Sequence, residues 1–195
     1  MKKLIKYLKS KFLTIFGDIK VFKYPLWIVY DPEQYQIAGA KLREILNTLQ
    51  PGDIIARGYV KYLDGYFIPG KYSHTGVYIG ADTMIHSVAE GVCKVDVLDF
   101  LQCDRCCIIR PKNRGAIPVA IDRAHVHLGT KYDFSFSAGD DALYCHELTA
   151  ACYKDQKIEK HVPTLFGGLI KGKEPVYLAQ SFMESEDFEV IGEFE

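Results

Sequence analysis

The stretch DDALYCHELTAACY, residues 140–153, sets a cysteine where a helix is expected to begin. A thiol reacts as its thiolate, and the unpaired N–H groups and dipole of a first helical turn favour negative charge. Asp140 and Asp141 are the N-cap candidates, which puts Cys145 in that turn and leaves Cys152 deeper, as core. A lone cysteine is more often a small apolar core residue than a nucleophile, so the thiol signifies chemistry only with a base beside it. Histidines stand at 74, 86, 125, 127, 146 and 161.

His74 opens HTGVYIG (74–80) and His86 lies in TMIHSVAE (83–90), with a connection short enough for an antiparallel hairpin. Position 74 then falls opposite 86–89, and an even separation keeps both rings on one face. The two imidazoles are expected side by side or diagonally adjacent, one fixing the tautomer of the other. With Cys145 they form a nucleophile, base and orienter. His125 and His127 face different sides of a helix, His146 turns about 100° from the cysteine, and His161 falls in a late loop; none is expected to be the base. The CDRCC segment gives Cys103 and Cys106 a metal-ligand spacing, but a second pair is lacking and Cys106 and Cys107 alternate across a strand. No metal and no cofactor is assigned.

The elements that must position these residues read as follows. Helices fit 34–49, stopped by QPGD, then 116–129 and 142–155. Strands fit 53–60, 74–80, 83–90 and 106–111, and 91–101 reads as a short strand followed by a helical turn. The class is α+β, a central antiparallel sheet packed with helices. Apolar and aromatic contents of 48% and 13% support one compact domain. Within it, residues 1–49 are expected as a helical segment packed on or preceding a core of 50–195. Asp53 is expected to anchor a strand start, and Glu147 to suit the helix N-terminus electrostatically.

A net charge of −1 excludes a strongly basic nucleic-acid binder. Irregularly spaced cysteines point to reduced thiols in a cytosol-like compartment. No apolar run is long enough to span a bilayer, and Lys6, Lys9 and Lys11 interrupt any signal-peptide core, so a retained, cytoplasmic chain is expected. Leu4, Ile5, Leu8, Phe12, Ile15 and Phe16 mark an amphipathic helix over 2–16. It either packs on its own domain with a solvated basic face or makes a peripheral membrane contact. No feature of the sequence specifies an oligomeric state.

The segments PGDIIARG, YSHTGVYIG and MIHSVAEGV together resemble the strand block of the NlpC-type papain-like cysteine peptidases. In the usual order of that superfamily the nucleophile helix comes first. Here no cysteine precedes residue 93 and a YCHEL helix follows the block. That order resembles the circularly permuted branch, which includes the YiiX/YebB-like hydrolases and the lecithin:retinol acyltransferase relatives; FIPGKYSHTGVYIG and LGTKYDFSF…LYCHEL are most similar to the YiiX-like group.

The resemblance covers about residues 50–153. It implies a papain-like fold with Cys145 as nucleophile, His74 as base and His86 as the third polar residue. His146 departs from the pattern, since related sequences generally carry a small residue there. The implied reaction is cleavage of an amide, such as a cell-wall peptide or isopeptide bond, through an acyl-thioester, with the Cys145 N–H donating to the oxyanion. The alternatives are hydrolysis or transfer of a fatty-acyl ester or amide, and a non-catalytic peptide- or lipid-binding module of the same fold. Tyr132 and Asp133 are candidates to line the groove or oxyanion site, with a loop-fixing role equally open. Tyr144 is a further oxyanion or groove candidate beside the thiol, with packing as its default. The Cys145 thiol is expected to ionise at mildly acidic pH, ahead of the other cysteines.

Overall fold

Ile54, Ile55 and Ala56 are consecutive and all fully buried, the mark of a strand covered on both faces. In the computed structural model, which describes residues 7, 19–22, 27–30, 35–60, 70–134, 142–165, 170–171 and 174–195, they belong to a six-stranded antiparallel sheet. A hairpin of β1 (Ile19–Phe22) and β2 (Trp27–Tyr30) comes first, followed by helix α1 (Gly39–Thr48). The sheet strands β3 (Ile54–Gly58), β4 (His74–Gly80), β5 (Thr83–Val88) and β6 (Gly91–Asp96) follow. A single turn α2 (Val97–Phe100) leads to β7 (Arg105–Pro111), and then to helices α3 (Ala116–Val126) and α4 (Cys145–Cys152). A two-residue pairing of β8 (Thr164–Leu165) with β9 (Ile170–Lys171), the short helix α5 (Ala179–Met183) and β10 (Phe188–Phe194) close the chain. The sheet order is β10-β7-β3-β4-β5-β6.

Strand alternation divides the buried residues into two cores. Ile54, Ala56, Val77, Ile85, Cys107 and Ile109 face α3, α4 and α5. Ile55, Met84, Cys106 and Ile108 face the other way, onto Ile45 of α1 and Val97 and Phe100 of α2. Cys106 and Cys107 accordingly sit in different cores, as their adjacency in a strand requires.

Several elements differ from the expectations. The segment 1–49 is not wholly helical, because it contains the β1–β2 hairpin. Helix α1 starts at Gly39 rather than 34, since the Gln36 N–H donates to Asp104 Oδ1 at 3.1 Å and the Ile37 N–H to the Cys103 carbonyl at 3.0 Å. The helix expected over 116–129 ends at Val126, with Gly129 taking a positive φ of 83° beyond it. The amphipathic helix expected over 2–16 lies outside the described residues, apart from Tyr7, which is helical and exposed. Asp53 anchors its strand as expected: Arg110 grips it through Nε–Oδ1 at 2.6 Å and Nη2–Oδ2 at 2.7 Å, and its Oδ2 also accepts the Gln50 N–H at 2.8 Å.

Candidate active site

The β4–β5 register pairs Gly76 with His86, Val77 with Ile85 and Tyr78 with Met84. His74 is therefore displaced by two residues from the position facing His86, the diagonal arrangement of the two expected. The rings meet at 86°, and Nε2 of His74 lies 3.0 Å from Nδ1 of His86. Both pack against Phe100, at centroid distances of 5.6 and 5.4 Å. Gly76 makes this possible: a Cβ at that position would stand 2.9 Å from the Phe100 ring. If Nε2–H of His74 donates to His86, the free lone pair of His74 is on Nδ1.

Cys145 arrives from the opposite side of the sheet. Its helix is held on the other core by the Thr75–Thr149 hydroxyl pair at 2.9 Å and by the Ser87 hydroxyl, which donates to the Leu143 carbonyl at 2.6 Å. The β4–β5 ladder ends at Gly76 and His86, so the N–H of Thr75 is free of strand pairing on that side, and its dipole favours the Cys145 thiolate. Sγ also lies 3.9 Å from the Ser73 carbonyl. Its backbone contacts are thus the carbonyl before His74 and the amide after it. The nucleophile candidate and the imidazole pair, anchored on opposite faces, converge where the sheet stops pairing.

The start of α4 corrects one expectation. Residues 142–144 are extended, tied to the preceding loop by the Lys131–Ala142 bridge and by the Leu143 N–H on the Lys131 carbonyl at 2.9 Å. Tyr144 is the N-cap and makes Cys145 the first helical residue; Asp140 and Asp141 lie outside the described residues. The backbone N–H dipoles of residues 145 and 146, with that of Thr75, therefore favour the thiolate.

Electrostatics correct a second. Cys145 is only 4% exposed, and burial pushes its thiol up to about 11, against the three N–H donors and the Arg57 charge, which pull it down. Burial first, then Arg57, His86 and His146, hold His74 well below the usual imidazole range. Burial and Arg57 take His86 down to about 4. At rest the set is a neutral thiol beside neutral imidazoles, rather than an acid-ionised thiol. Cys93, half-buried, is the more accessible cysteine.

His146 was not expected to reach the sulfur, yet its Nδ1 is 3.4 Å from Sγ, while no hydrogen bond joins His74 to Cys145 among the described residues. The ring is buried, burial lowers it to about 3, and its Nε2 has no partner among the described residues. The helical-wheel argument failed because it treated Cys145 and His146 as interior helix residues. At the first turn, the sulfur is aimed across the helix end and a neighbouring ring can fold back to it.

Of the remaining candidates, Tyr132 is held well above the usual phenol range by burial first and then by Cys145, and Asp133 is buried at 6% exposure in the same loop. Tyr144 turns its hydroxyl away, accepting the Tyr177 N–H at 2.7 Å. Glu147 lies in the first turn of α4. His125 is exposed with Nδ1 on the Ile121 carbonyl, 2.9 Å, and His161 pairs with Val176 through its backbone. Neither approaches the thiol. The cavity lined by Asn113, Val119, Arg123 and Tyr153 adjoins the far end of α4, at Cys152, and contains none of the site residues.

Comparisons with known proteins bear on the family and the fold. Protein OPG091 of monkeypox virus is 26% identical over 147 residues, spanning 71% of this chain and 82% of that protein. Its vaccinia virus (strain Western Reserve) counterpart is 27% identical over 146 residues, with the same shares. The crystal structure of YiiX from Escherichia coli O157:H7, described as a metalloprotein, superposes with a TM-score of 0.62 at 20% identity, covering 75% of this chain and 98% of that one. It shares the fold. The family model of the permuted papain-like amidases, YaeF/YiiX, C92 family, matches residues 48–192, and the chain belongs to that family of papain-like cysteine hydrolases.

Proposed function

We propose that the protein cleaves an amide, of the peptide or isopeptide kind, with Cys145 as nucleophile, His74 as base and His86 as the residue that orients it. The observation that carries this reading is the seating of the sulfur against β4 on either side of His74, whose ring is bonded to His86 at 3.0 Å. His74 Nδ1 takes the thiol proton as sulfur attacks the carbonyl carbon, and the tetrahedral oxyanion accepts the Cys145 N–H. The same proton then passes to the departing amine, the C–N bond breaks, and an acyl-thioester remains. Water, deprotonated by His74, attacks the thioester carbonyl and releases the acid and the thiol. A pKa of about 11 leaves roughly one thiol in ten thousand ionised at neutral pH. The resting thiol is therefore protonated, and its proton must pass to the base for attack.

The E. coli structural relative is described as a metalloprotein. Among the described residues of this chain, no three His, Cys, Asp or Glu side chains converge as a metal requires, and Nε2 of His74 and Nδ1 of His86 are turned on each other. The donor set does not fit, and no step is routed through a metal.

The 3.4 Å contact from Sγ to His146 supports a second reading, in which His146 is the base. A panel of peptide amides, isopeptides and p-nitrophenyl fatty-acyl esters, acid-quenched and weighed by mass spectrometry, separates the cases. The expected result is an acyl adduct on Cys145, lost in Cys145→Ala and His74→Ala and reduced in His86→Ala. Loss in His146→Ala with His74→Ala active transfers the base role. Turnover that survives Cys145→Ala refutes both readings. Adducts confined to the fatty-acyl esters make the protein an acyl-ester hydrolase or transferase, the substrate alternative raised by the sequence.

A further inference from the structure

Arg57 of β3 is the register partner of His74 on β4, so the two side chains leave the same face of the sheet. The guanidinium carbon stands 4.6 Å from the Phe100 ring centroid, the same ring that both imidazoles contact. Its Nη1 donates to the Phe100 carbonyl at 2.8 Å, and Tyr59 covers it from 5.7 Å. No acidic side chain pairs with Arg57 among the described residues, and its Nε–H is buried without a partner. Asp104, whose charge acts against that of Arg57 on Cys103, gives its oxygens to the backbone N–H groups of Gln36 and Val60.

Arg110, on the neighbouring strand β7, shows what this chain does with a buried guanidinium of structural purpose. Its Nε and Nη2 form a two-pronged edge, and Asp53 fills it at 2.6 and 2.7 Å. Arg57 leaves Nε of the corresponding edge unpartnered, with no carboxylate on it among the described residues. A half-buried cation without a counter-ion is costly and is tolerated chiefly where it has a use. Here its field falls on His74, His86 and Cys145 together. It opposes the imidazolium that proton transfer must create, and an anion on the edge would cancel that opposition.

We propose that the Nε/Nη2 edge of Arg57 is a subsite for a carboxylate carried by the substrate near the scissile acyl group. The planar fork matches a carboxylate with two parallel hydrogen bonds. Docking it neutralises the cation opposite His74, so the base gains proton affinity when such a substrate is present. This selects acidic peptides over neutral amides and fatty-acyl chains. The inference rests on the reading of Cys145 and His74 given above.

The test compares alkylation of Cys145 by iodoacetate and by iodoacetamide, scored by peptide mapping of the full chain. The charged reagent is expected to be favoured over the neutral one by roughly tenfold beyond a free thiol's ratio. Arg57→Gln is expected to abolish the preference and Arg57→Lys to keep part of it. Acetate should slow the reaction with iodoacetate in the wild-type protein. An iodoacetate preference unchanged in Arg57→Gln overturns the proposal, and protection by inorganic phosphate but not by acetate overturns the carboxylate assignment. Failure of both reagents to modify Cys145 counts against the nucleophile instead. The subsite is then decided by the imidazole NMR signals of His74 and His86: movement on adding acetate to the wild-type protein supports it, and its absence refutes it. That last measurement needs no variant and holds even if Arg57→Gln does not fold.

Discussion

Burying imidazoles in neutral form makes the fold sensitive to acid, and the size of the effect follows from the structure. His146 and His86 are 3% and 6% exposed, and burial places their pKa values at about 3 and about 4. In the unfolded chain both return to about 6.5. Because the folded values are depressed, the unfolded state binds protons first, and stability falls as pH drops below about 6.5 and goes on falling towards the folded values. Between pH 7 and pH 5 each ring contributes a loss of about 2 kcal/mol, at 1.36 kcal/mol per unit of pH. His74 shifts in the same direction. The sum is a large share of a typical stability of about 5–15 kcal/mol. Glu193 and Glu195, held low by Lys71, do not confuse the measurement, since their linkage begins at more acidic pH. Urea unfolding at pH 7, 6 and 5 reads the effect directly. His146→Asn is expected to remove about 2 kcal/mol of the pH dependence, whatever it does to stability at pH 7. Parallel pH profiles for the wild type and His146→Asn would show that this ring titrates alike in both states, and the burial argument for the site would fail with it.

Other perturbations reach the scaffold. Asp53→Ala leaves Arg110 buried without its carboxylate and is expected to cost about 3–5 kcal/mol in urea unfolding; a loss under 1 kcal/mol would show that the pair is solvated. At the β4–β5 turn Ala81 and Asp82 have φ of 47° and 54°, and Ala81→Gly should stabilise by about 0.5–1 kcal/mol as relief of the left-handed strain outweighs added chain entropy. A fall in melting temperature would contradict the turn geometry. Gly76→Ala drives a Cβ to 2.9 Å from Phe100 and should cost about 1–3 kcal/mol by overpacking. It should also broaden the His74 and His86 imidazole signals; an unperturbed pair would show that Phe100 does not position it.

The hairpin bearing His74 and His86 was legible because its determinants are local: a short connection, an even separation and the period of a strand. The sheet strands between 53 and 111 followed from β-branched runs between Gly, Pro and Asp for the same reason. What was not legible depends on distant partners. The strand Phe188–Phe194 is dense in glutamate and carries a register shift between Val190 and Gly192, so its alternation is broken. Glu193 is tolerated because Lys71, at 2.6 Å, and the Tyr72 hydroxyl, at 2.7 Å, meet it. Likewise the true start of α4 is set by ties from Lys131 and Ser87 to Leu143, and nothing within 140–146 announces them. Arg57 carries no local mark at all, since a lone arginine in a strand acquires meaning only from what does and does not face it.

The placement of the thiol across the sheet from its imidazoles explains why both histidine neighbours matter. A helix packed on one face cannot bring a side chain to the other unless a ladder opens, and the β4–β5 ladder stops at Gly76–His86. The Thr75 N–H dipole then favours the thiolate instead of pairing with β5, so the break in pairing and the seating of the candidate nucleophile are one feature. With the His74 ring spent on His86 and Phe100, the imidazole nitrogen at 3.4 Å from the resting thiol is that of His146, which follows Cys145 on its own helix. His146 thus gives the resting thiol a contact, and in the mechanism proposed above attack requires the S–H to turn from that ring towards His74. The His146→Ala variant should accordingly speed alkylation of Cys145 by iodoacetamide if the contact restrains the thiol, and slow it if the ring is itself the base.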